Sequence, residues 1–378
     1  MLKPILWASA GLIAYAHAGY PLALIALTRI RGRRQTSDPP RTQTELPCVS
    51  LIIAAFDEEE VIADRLANAR DLDYPPERLE VVVASDGSGD RTVDIARSEG
   101  ADEVLDLPRA GKIIAQNTAA QRSTADILAF SDANSFWEAD AMRELVAQFA
   151  DPGVGYVCGQ VRFTDPAGDN QEGTYWRYEM AVRELESGLA GVTAGNGAIY
   201  AVRRDAYVAL PAGGSHDLSF PFELARRGLR SLYAPDALAT EKAVPTLSGE
   251  WKRKRRMMVG LWDIVIGERM LALRGYSMLF AFQLISHRAL RYATPFLHAA
   301  TLVTSASLAR RGTIYRVALA LQVALLGAAA AASAFPSAPL RIARYYVLMT
   351  ASIGAGLWDR LREGSPGTWE KAEGTRSP

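Results

Sequence analysis

Apolar residues fall into three blocks along the chain, and each block has its own rhythm. The first, residues 4–27, runs for about 24 positions without a formal charge. At ~1.5 Å of rise per residue such a helix crosses a hydrocarbon core of about 30 Å, so a transmembrane helix is predicted over 1–28. The second block, from 47 to about 161, alternates short apolar runs with longer amphipathic stretches, the pattern of a parallel sheet covered by helices. It predicts strands over 49–55, 79–84, 103–107, 127–130 and 155–161, with helices over 58–70, 92–99, 113–122 and 139–149 between them. A longer helix over 171–189, a strand over 198–202 and a helix near 219–227 follow. The third block begins after about residue 277 and offers spans at 292–308, 314–335 and 340–357. Ahead of it, 280–291 mixes apolar residues with His287, Arg288 and Arg291 and predicts an interfacial helix.

The expected organisation is a transmembrane helix (1–28), a basic cytoplasmic linker (29–46) and an α/β domain (47–250). Basic and interfacial helices (251–291), about three transmembrane helices (292–358) and a polar tail (359–378) complete it. Charge orients the first span. Lys3 is the only charge before it, while Arg29, Arg31, Arg33, Arg34 and Arg41 follow, so the positive-inside rule places the next domain in the cytoplasm. That makes the chain a multi-pass protein of the inner (cell) membrane. A cleaved secretory signal is the competing reading, with Ala16-His17-Ala18 as its small-residue site. The apolar stretch is long for a signal, and the basic block lies on the wrong side of it. Arg310, Arg311, Arg316, Arg341 and Arg344 flank alternating ends of the later spans and leave their topology open.

With 42 basic and 42 acidic residues the net charge is zero, so the balance gives no support to nucleic acid as a partner. Cys48 and Cys158 have neither metal nor redox spacing and are expected as buried apolar fillers.

The chemistry gathers where apolar strands run out. The first predicted strand leads into Asp57, the second into Asp86, and the stretch from Ile127 into Asp132 and Asn134. Ligands of open parallel sheets bind outside the carboxyl ends of the strands, so three strand-end acids point to one metal and nucleotide site. Asp132 and Asn134 lie two apart, which in extended chain puts both on one side. Such oxygen ligands suit Mg²⁺ or Mn²⁺, which neutralise charge building on a departing diphosphate. The plain alternative is a helix N-cap before Trp137. The turn from Ser85 to Asp90 has Thr92 where a dinucleotide fingerprint needs its third glycine, and no Walker-type Gly-Lys-Ser/Thr occurs.

Lys112, opening a helix after Arg109-Ala-Gly111, is a point charge in reach of a phosphate, or simply a solvated lysine. Asp217, beside His216 and after the flexible run from Pro211 to Ser215, is a mobile acid. It can take a proton from an attacking hydroxyl, or be no more than an exposed loop carboxylate. Glu223 and Glu241 are weaker candidates. The run Trp251-Lys-Arg-Lys-Arg-Arg256 reads either as a juxtamembrane patch for anionic membrane lipid or as an arginine clamp on diphosphate with a tryptophan platform under a sugar.

Taken in order, these residues resemble the membrane-bound family 2 glycosyltransferases with a GT-A fold, the group containing cellulose, hyaluronan and poly-N-acetylglucosamine synthases. The resemblance covers about 47–291. It implies an α/β, Rossmann-like nucleotide-sugar domain in which Asp57 and Asp86 contact the nucleotide and Lys112 the diphosphate. Asp132-Ala-Asn134 stands at the family's Asp-x-Asp metal motif, with asparagine in place of the second acid. Tyr175-Trp-Arg-Tyr-Glu179 and the segment Gly195-Asn196-Gly197 look like acceptor-side segments, and Trp251 belongs with them. The catalytic acidic pair becomes His216-Asp217, with Asp217 as general base. The Gln-x-x-Arg-Trp motif is matched only as Arg253-Lys-Arg-Arg256-Met257, which keeps Arg256 and loses both the glutamine and the tryptophan of long-chain synthases.

The implied reaction is an inverting displacement from a nucleotide sugar, with UDP-sugar the expected donor, onto a polysaccharide or glycolipid acceptor. Single transfer to a polyprenyl phosphate or other lipid keeps the same residues. A non-catalytic nucleotide-binding or scaffold subunit is the reading from another class.

Overall fold

The computed structural model describes residues 1–32, 46–164, 173–243, 247–335 and 337–364. Arg33, Arg34, Arg41 and the tail from 365 lie outside the described residues, so the linker and tail expectations concern segments that are not described in full.

The chain opens with one 30-residue helical run. It consists of α1 (Leu2–Ala14), a π-helical turn (Tyr15–Gly19) and α2 (Tyr20–Arg31). A mixed sheet then forms from β1 (Val49–Ala55), β2 (Leu79–Asp86), β3 (Glu103–Leu107), β4 (Ile127–Asp132), β5 (Phe136–Trp137), β6 (Val154–Thr164), β7 (Ile199–Arg203) and β8 (Arg230–Lys242). Their spatial order is β3-β2-β1-β4-β7-β6-β8-β5. The first four pair in parallel. All seven residues of β1 are buried, because helices cover both faces of the sheet and no solvent face remains to impose alternation. Period two survives only in which side each residue serves: Leu51 and Ile53 join Leu66 and Met142 on one face, while Ile52 joins Ala115 and Phe130 on the other.

The sheet is not parallel throughout, as the strand and helix rhythm implied. β7 inserts antiparallel between β4 and β6, and β8, which the pattern did not reveal, pairs in parallel with β6. The reason β8 is hidden is local. Pro235 and Asp236 interrupt it where its register against β6 slips between Cys158 and Gln160, so a bulge absorbs a proline that would otherwise argue against a strand.

Helices α3 (Ile62–Arg70), α4 (Thr92–Ser98), α5 (Lys112–Arg122), α6 (Ala141–Ala147), α7 (Gly173–Ser187) and α8 (His216–Arg226) cover this sheet. The chain then leaves through α9 (Leu247–Gly267), α10 (Met278–Gln283), a second π-helical turn (Leu284–Ala289), α11 (Leu290–Leu308), α12 (Thr313–Ala331) and α13 (Ala338–Glu363). Residues 280–291, expected as a separate interfacial helix, instead run unbroken into α11 and bury Phe280 and Leu284 against Phe222 and Ile264.

Among the described residues two helices, Leu2–Arg31 and Thr313–Ala331, are long and apolar enough to cross a membrane. Only 17% and 11% of their apolar windows are buried, the outward-facing greasy surface that lipid accepts and a soluble core helix lacks. α1 packs along α11, where the Thr301 hydroxyl donates to Ser9 Oγ at 2.9 Å. Cys158 is buried as expected, whereas Cys48, in the strand approach before β1, is exposed.

Candidate active site

Four loops at the carboxyl ends of β1, β2 and β4 and at the head of α5 build one corner. Asp57 follows β1 in the left-handed region at φ 52°. Its Oδ1 accepts from Gly89 N at 2.8 Å, so the first strand-end acid holds the turn that follows β2. Asp86, almost fully buried, closes β2. Its Oδ1 accepts from Ala110 N (2.7 Å) and Gly111 N (2.8 Å), and its Oδ2 pairs with Arg109 at 3.1 Å. Arg109 in turn lies over the Phe56 ring. Gly87, at φ +71°, lets this happen: a Cβ there would stand 2.8 Å from Arg109 N. Asp86 is therefore the peg that fixes the loop ahead of α5, and with it the position of Lys112.

Lys112 begins α5 and forms an ion pair with Asp132, the last residue of β4. Both are partly exposed, 22% and 31%, so each can change partners for a ligand. Asn134 does not share a strand face with Asp132, as spacing in extended chain had implied. The backbone turns after β4, where Ser135 N donates to Asp132 O at 3.2 Å, and Asn134 sits half-buried in that turn. The N-cap alternative also fails, because residues 136–137 form β5 rather than a helix. Beside Asp132 stands Glu241 of β8, accepting from the buried Ser135 hydroxyl. Burial, with Asp132 next to it, pushes its carboxyl up to about 7, against the pull of Lys112 and Arg253.

A second group faces this corner. Asp217 lies in the first turn of α8, not on a mobile loop, and accepts from the Ser215 hydroxyl. Its carbonyl receives Gly195 N at 2.6 Å. Tyr200 is fully buried, and burial, with Tyr156, Tyr207, Asp132 and Asp217 adding smaller effects, raises its hydroxyl pKa well above the usual range. His216 is not part of an acid pair. It is buried among Phe130, Tyr207 and Phe220, with Nδ1 2.6 Å from the Tyr200 hydroxyl. Burial, reinforced by Lys112, holds its pKa well below the usual histidine range.

The segment 195–197 runs from the Asp217 backbone carbonyl to Lys112. Gly195 has no room for a side chain, since a Cβ would fall 2.0 Å from the Tyr156 hydroxyl. Asn196 is buried and structurally engaged: it donates to Gly159 O at 2.5 Å and accepts from Ile199 N at 2.9 Å. Gly197 faces Lys112, its Cβ position lying 3.7 Å from Nζ. On α9, Trp251 is half-buried. Arg256 lines a cleft with Lys252, Arg255 and Asp359 against α13. Arg253 pairs with Glu250 at 2.9 Å, and its charge favours the ionised form of Glu241. Part of the expected segment 175–179 is described only in its backbone.

Among the described residues no three His, Cys, Asp or Glu side chains come close enough together to hold an ion on their own. Mg²⁺ and Mn²⁺ do not require that. They take one or two protein oxygens and complete their shell from diphosphate and water, and Asp132, already seated against a cation, fits such a site. Asn134, within the same turn, is the second oxygen at hand.

In the sequence Arg109 carries no assigned role, Arg253 enters only as part of the basic run, and Glu241 is a weak candidate. No signal at Glu241 separates it from other acids once β8 is overlooked. Arg109, three residues ahead of Lys112 in a loop, was legible as a charge but not as the partner of Asp86.

Residues 50–208 match the model of glycosyl transferase family 2. A poly-beta-1,6-N-acetyl-D-glucosamine synthase of Staphylococcus aureus (strain COL) is 26% identical over 234 residues, 59% of this chain and 56% of that protein. An N-acetylglucosaminyltransferase of Rhizobium meliloti (strain 1021) is 27% identical over 251 residues, 60% of this chain and 58% of that protein. The chain thus spans little more than half the length of these curated relatives. Among solved structures, the mannosyltransferase PcManGT from Pyrobaculum calidifontis, in complex with GDP-Man and Mn²⁺, superposes with a TM-score of 0.72 at 26% identity. That superposition covers 96% of this chain and 99% of the other.

Proposed function

Because this chain is a family 2 glycosyltransferase with a GT-A fold, we propose that it is a membrane-bound inverting enzyme moving a sugar from a nucleotide sugar to a polysaccharide or glycolipid acceptor. One observation carries the reading: the short segment 195–197 bonds the Asp217 carbonyl at Gly195 and meets Lys112, the ion-pair partner of Asp132, at Gly197. A donor whose diphosphate lies toward Lys112 has its anomeric carbon between that side and Asp217.

In the proposed step the acceptor oxygen bonds to the anomeric carbon and the bond from that carbon to the diphosphate oxygen breaks. The acceptor proton passes to Asp217, and the nucleoside diphosphate leaves with the bonding pair. Asp217 suits the role because α8 and the Gly195 bond fix its backbone while its carboxylate accepts from the Ser215 hydroxyl. Lys112 exchanges Asp132 for a phosphate oxygen, and Asp57 and Asp86 shape the loops around the nucleotide. Arg253, rather than Arg256, is the α9 cation on the diphosphate side. Asp132 and Asn134 would hold Mg²⁺ or Mn²⁺, which would supply positive charge against the leaving diphosphate. Gly195, Asn196, Gly197 and Trp251 border the acceptor side.

UDP-sugar is the proposed donor, in keeping with relatives named for N-acetylglucosamine. A GDP-sugar is the second reading, favoured by the solved mannosyltransferase that covers almost the whole chain. Arg29 and Arg31, at the end of α2, support a cytoplasmic catalytic domain in the proposed multi-pass inner-membrane protein.

Nucleotide release in native-like membranes, across UDP-sugars and GDP-mannose with Mg²⁺ or Mn²⁺, tests the proposal. Release with one donor, lost on chelation and in Asp217→Asn, is the expected result. Donor binding without release under any acceptor, polyprenyl phosphate included, would overturn it in favour of a nucleotide-binding scaffold.

A further inference from the structure

We infer that Glu186 is a positioning residue through which the docked N-terminal and C-terminal helices set the segment 193–195 against Asp217. This inference rests on Asp217 being the base. Glu186 lies in the last turn of α7, with no exposed surface. Its two oxygens serve two sides of the molecule. Oε1 accepts from the Tyr20 hydroxyl of α2 and lies 2.8 Å from His287 Nδ1 of the second π-helical turn. Oε2 accepts from Thr193, from the backbone N at 3.2 Å and from the hydroxyl at 3.0 Å. The same hydroxyl accepts from Arg288 Nε at 3.0 Å.

Two residues further on, Gly195 donates to the Asp217 carbonyl, and its own carbonyl accepts from the buried Arg183 at 2.9 Å. With the Tyr156 hydroxyl closing the space above Gly195, the segment has no slack between its two anchors. A buried carboxylate is costly unless its charge is matched. Burial drives the Glu186 pKa up, but His287 and Arg288 outweigh it and hold the group below the usual glutamate range. An ionised hub of this kind imposes geometry on everything it bonds. A shift of Thr193 is passed two residues along to Gly195 and on to the first turn of α8, where ångström-scale misplacement of a base costs about 100-fold in rate.

Glu186→Gln keeps the shape and gives up one of the two acceptor oxygens. Turnover is expected to fall about 10-fold or more with the donor Kd unchanged within about twofold, and the ratio of donor hydrolysis to sugar transfer is expected to rise. Tyr20→Phe, which removes only the membrane-helix hydroxyl, is expected to move the same ratio in the same direction by a smaller factor. Asp217→Asn separates the two levels of inference. If it retains transfer, the assignment of the base fails. If it abolishes transfer while Glu186→Gln and Tyr20→Phe keep wild-type turnover and hydrolysis ratio, the positioning role alone is overturned. Should Glu186→Gln not fold, Tyr20→Phe and Thr193→Val decide by the same ratio, and wild-type values in both overturn the inference.

Discussion

At the donor corner, charged side chains stand at or just past the ends of the strands that carry them, and they pair with groups about twenty residues away: Lys112 with Asp132, Arg109 with Asp86. At the seam between α7 and the helical region the pairs are drawn from distant parts of the chain. Tyr20 meets Glu186, His287 meets Glu186, and Arg291 meets Glu179. The two sets also differ in what they can do. The Lys112–Asp132 pair is open to solvent and can trade its partner for phosphate or metal. The seam is buried, with both glutamates compensated from several directions: Glu179 is held well below the usual range because Arg291, His287 and Arg288 outweigh its burial. An exposed pair contributes little to stability, whereas one member of a buried pair cannot be removed without stranding the other. Function is thus expected to fail first at the donor corner, and folding first at the seam.

That contrast can be broken most directly at the base. Asp217→Asn is expected to reduce sugar transfer by about 10²–10⁴-fold with donor affinity retained, measured by transfer assay and donor titration. Asp132→Ala follows, with a loss of about 10²–10³-fold in turnover and a melting temperature near wild type. A large drop in melting temperature there would erase the distinction between the two regions. Glu179→Ala tests the opposite side: removing the buried carboxylate that pairs with Arg291 should cost about 3–5 kcal/mol of stability by chemical unfolding.

Within the basic run of α9, Arg253→Ala is expected to reduce turnover about 10-fold and Arg256→Ala no more than about threefold. Equal, mild losses in both would return the run to a lipid-facing patch. The smallest effect concerns pH. His216 is held neutral in the fold, while the unfolded chain takes up a proton below about pH 6.5. Its neutral form therefore contributes stability above that pH, lost progressively as pH falls, and His216→Gln should flatten the acid limb of the melting-temperature profile.

The donor corner was legible because parallel strands buried on both faces read as continuous apolar runs. β1 was bounded at 49–55 as observed, and β2 and β4 were found but cut two residues short, at the polar pairs Ser85-Asp86 and Ser131-Asp132. Those acids were picked out because a charge that ends such a run stands out against it. β8 was missed because Pro235 and Asp236 break its pattern, and Glu241 was lost with it. Asn134 was misplaced because spacing says where a side chain points only while the backbone stays extended, and here it turns.

Along the chain itself, periodicity and charge determined an α/β domain with acids at its strand ends, an N-terminal apolar helix and a helical C-terminal region. Each of these depends on neighbours within a turn or a strand. Only the tertiary structure decided that β7 runs against β4, that Asp217 lies in the first turn of a helix and bonds Gly195 through its carbonyl, that Glu241 meets Ser135 in the turn after Asp132, and that Glu186 joins Tyr20 to Thr193. Those are contacts between residues far apart in sequence. Such a contact leaves no local period or composition behind, because its energy comes from burial and pairing that exist only after the chain has closed on itself.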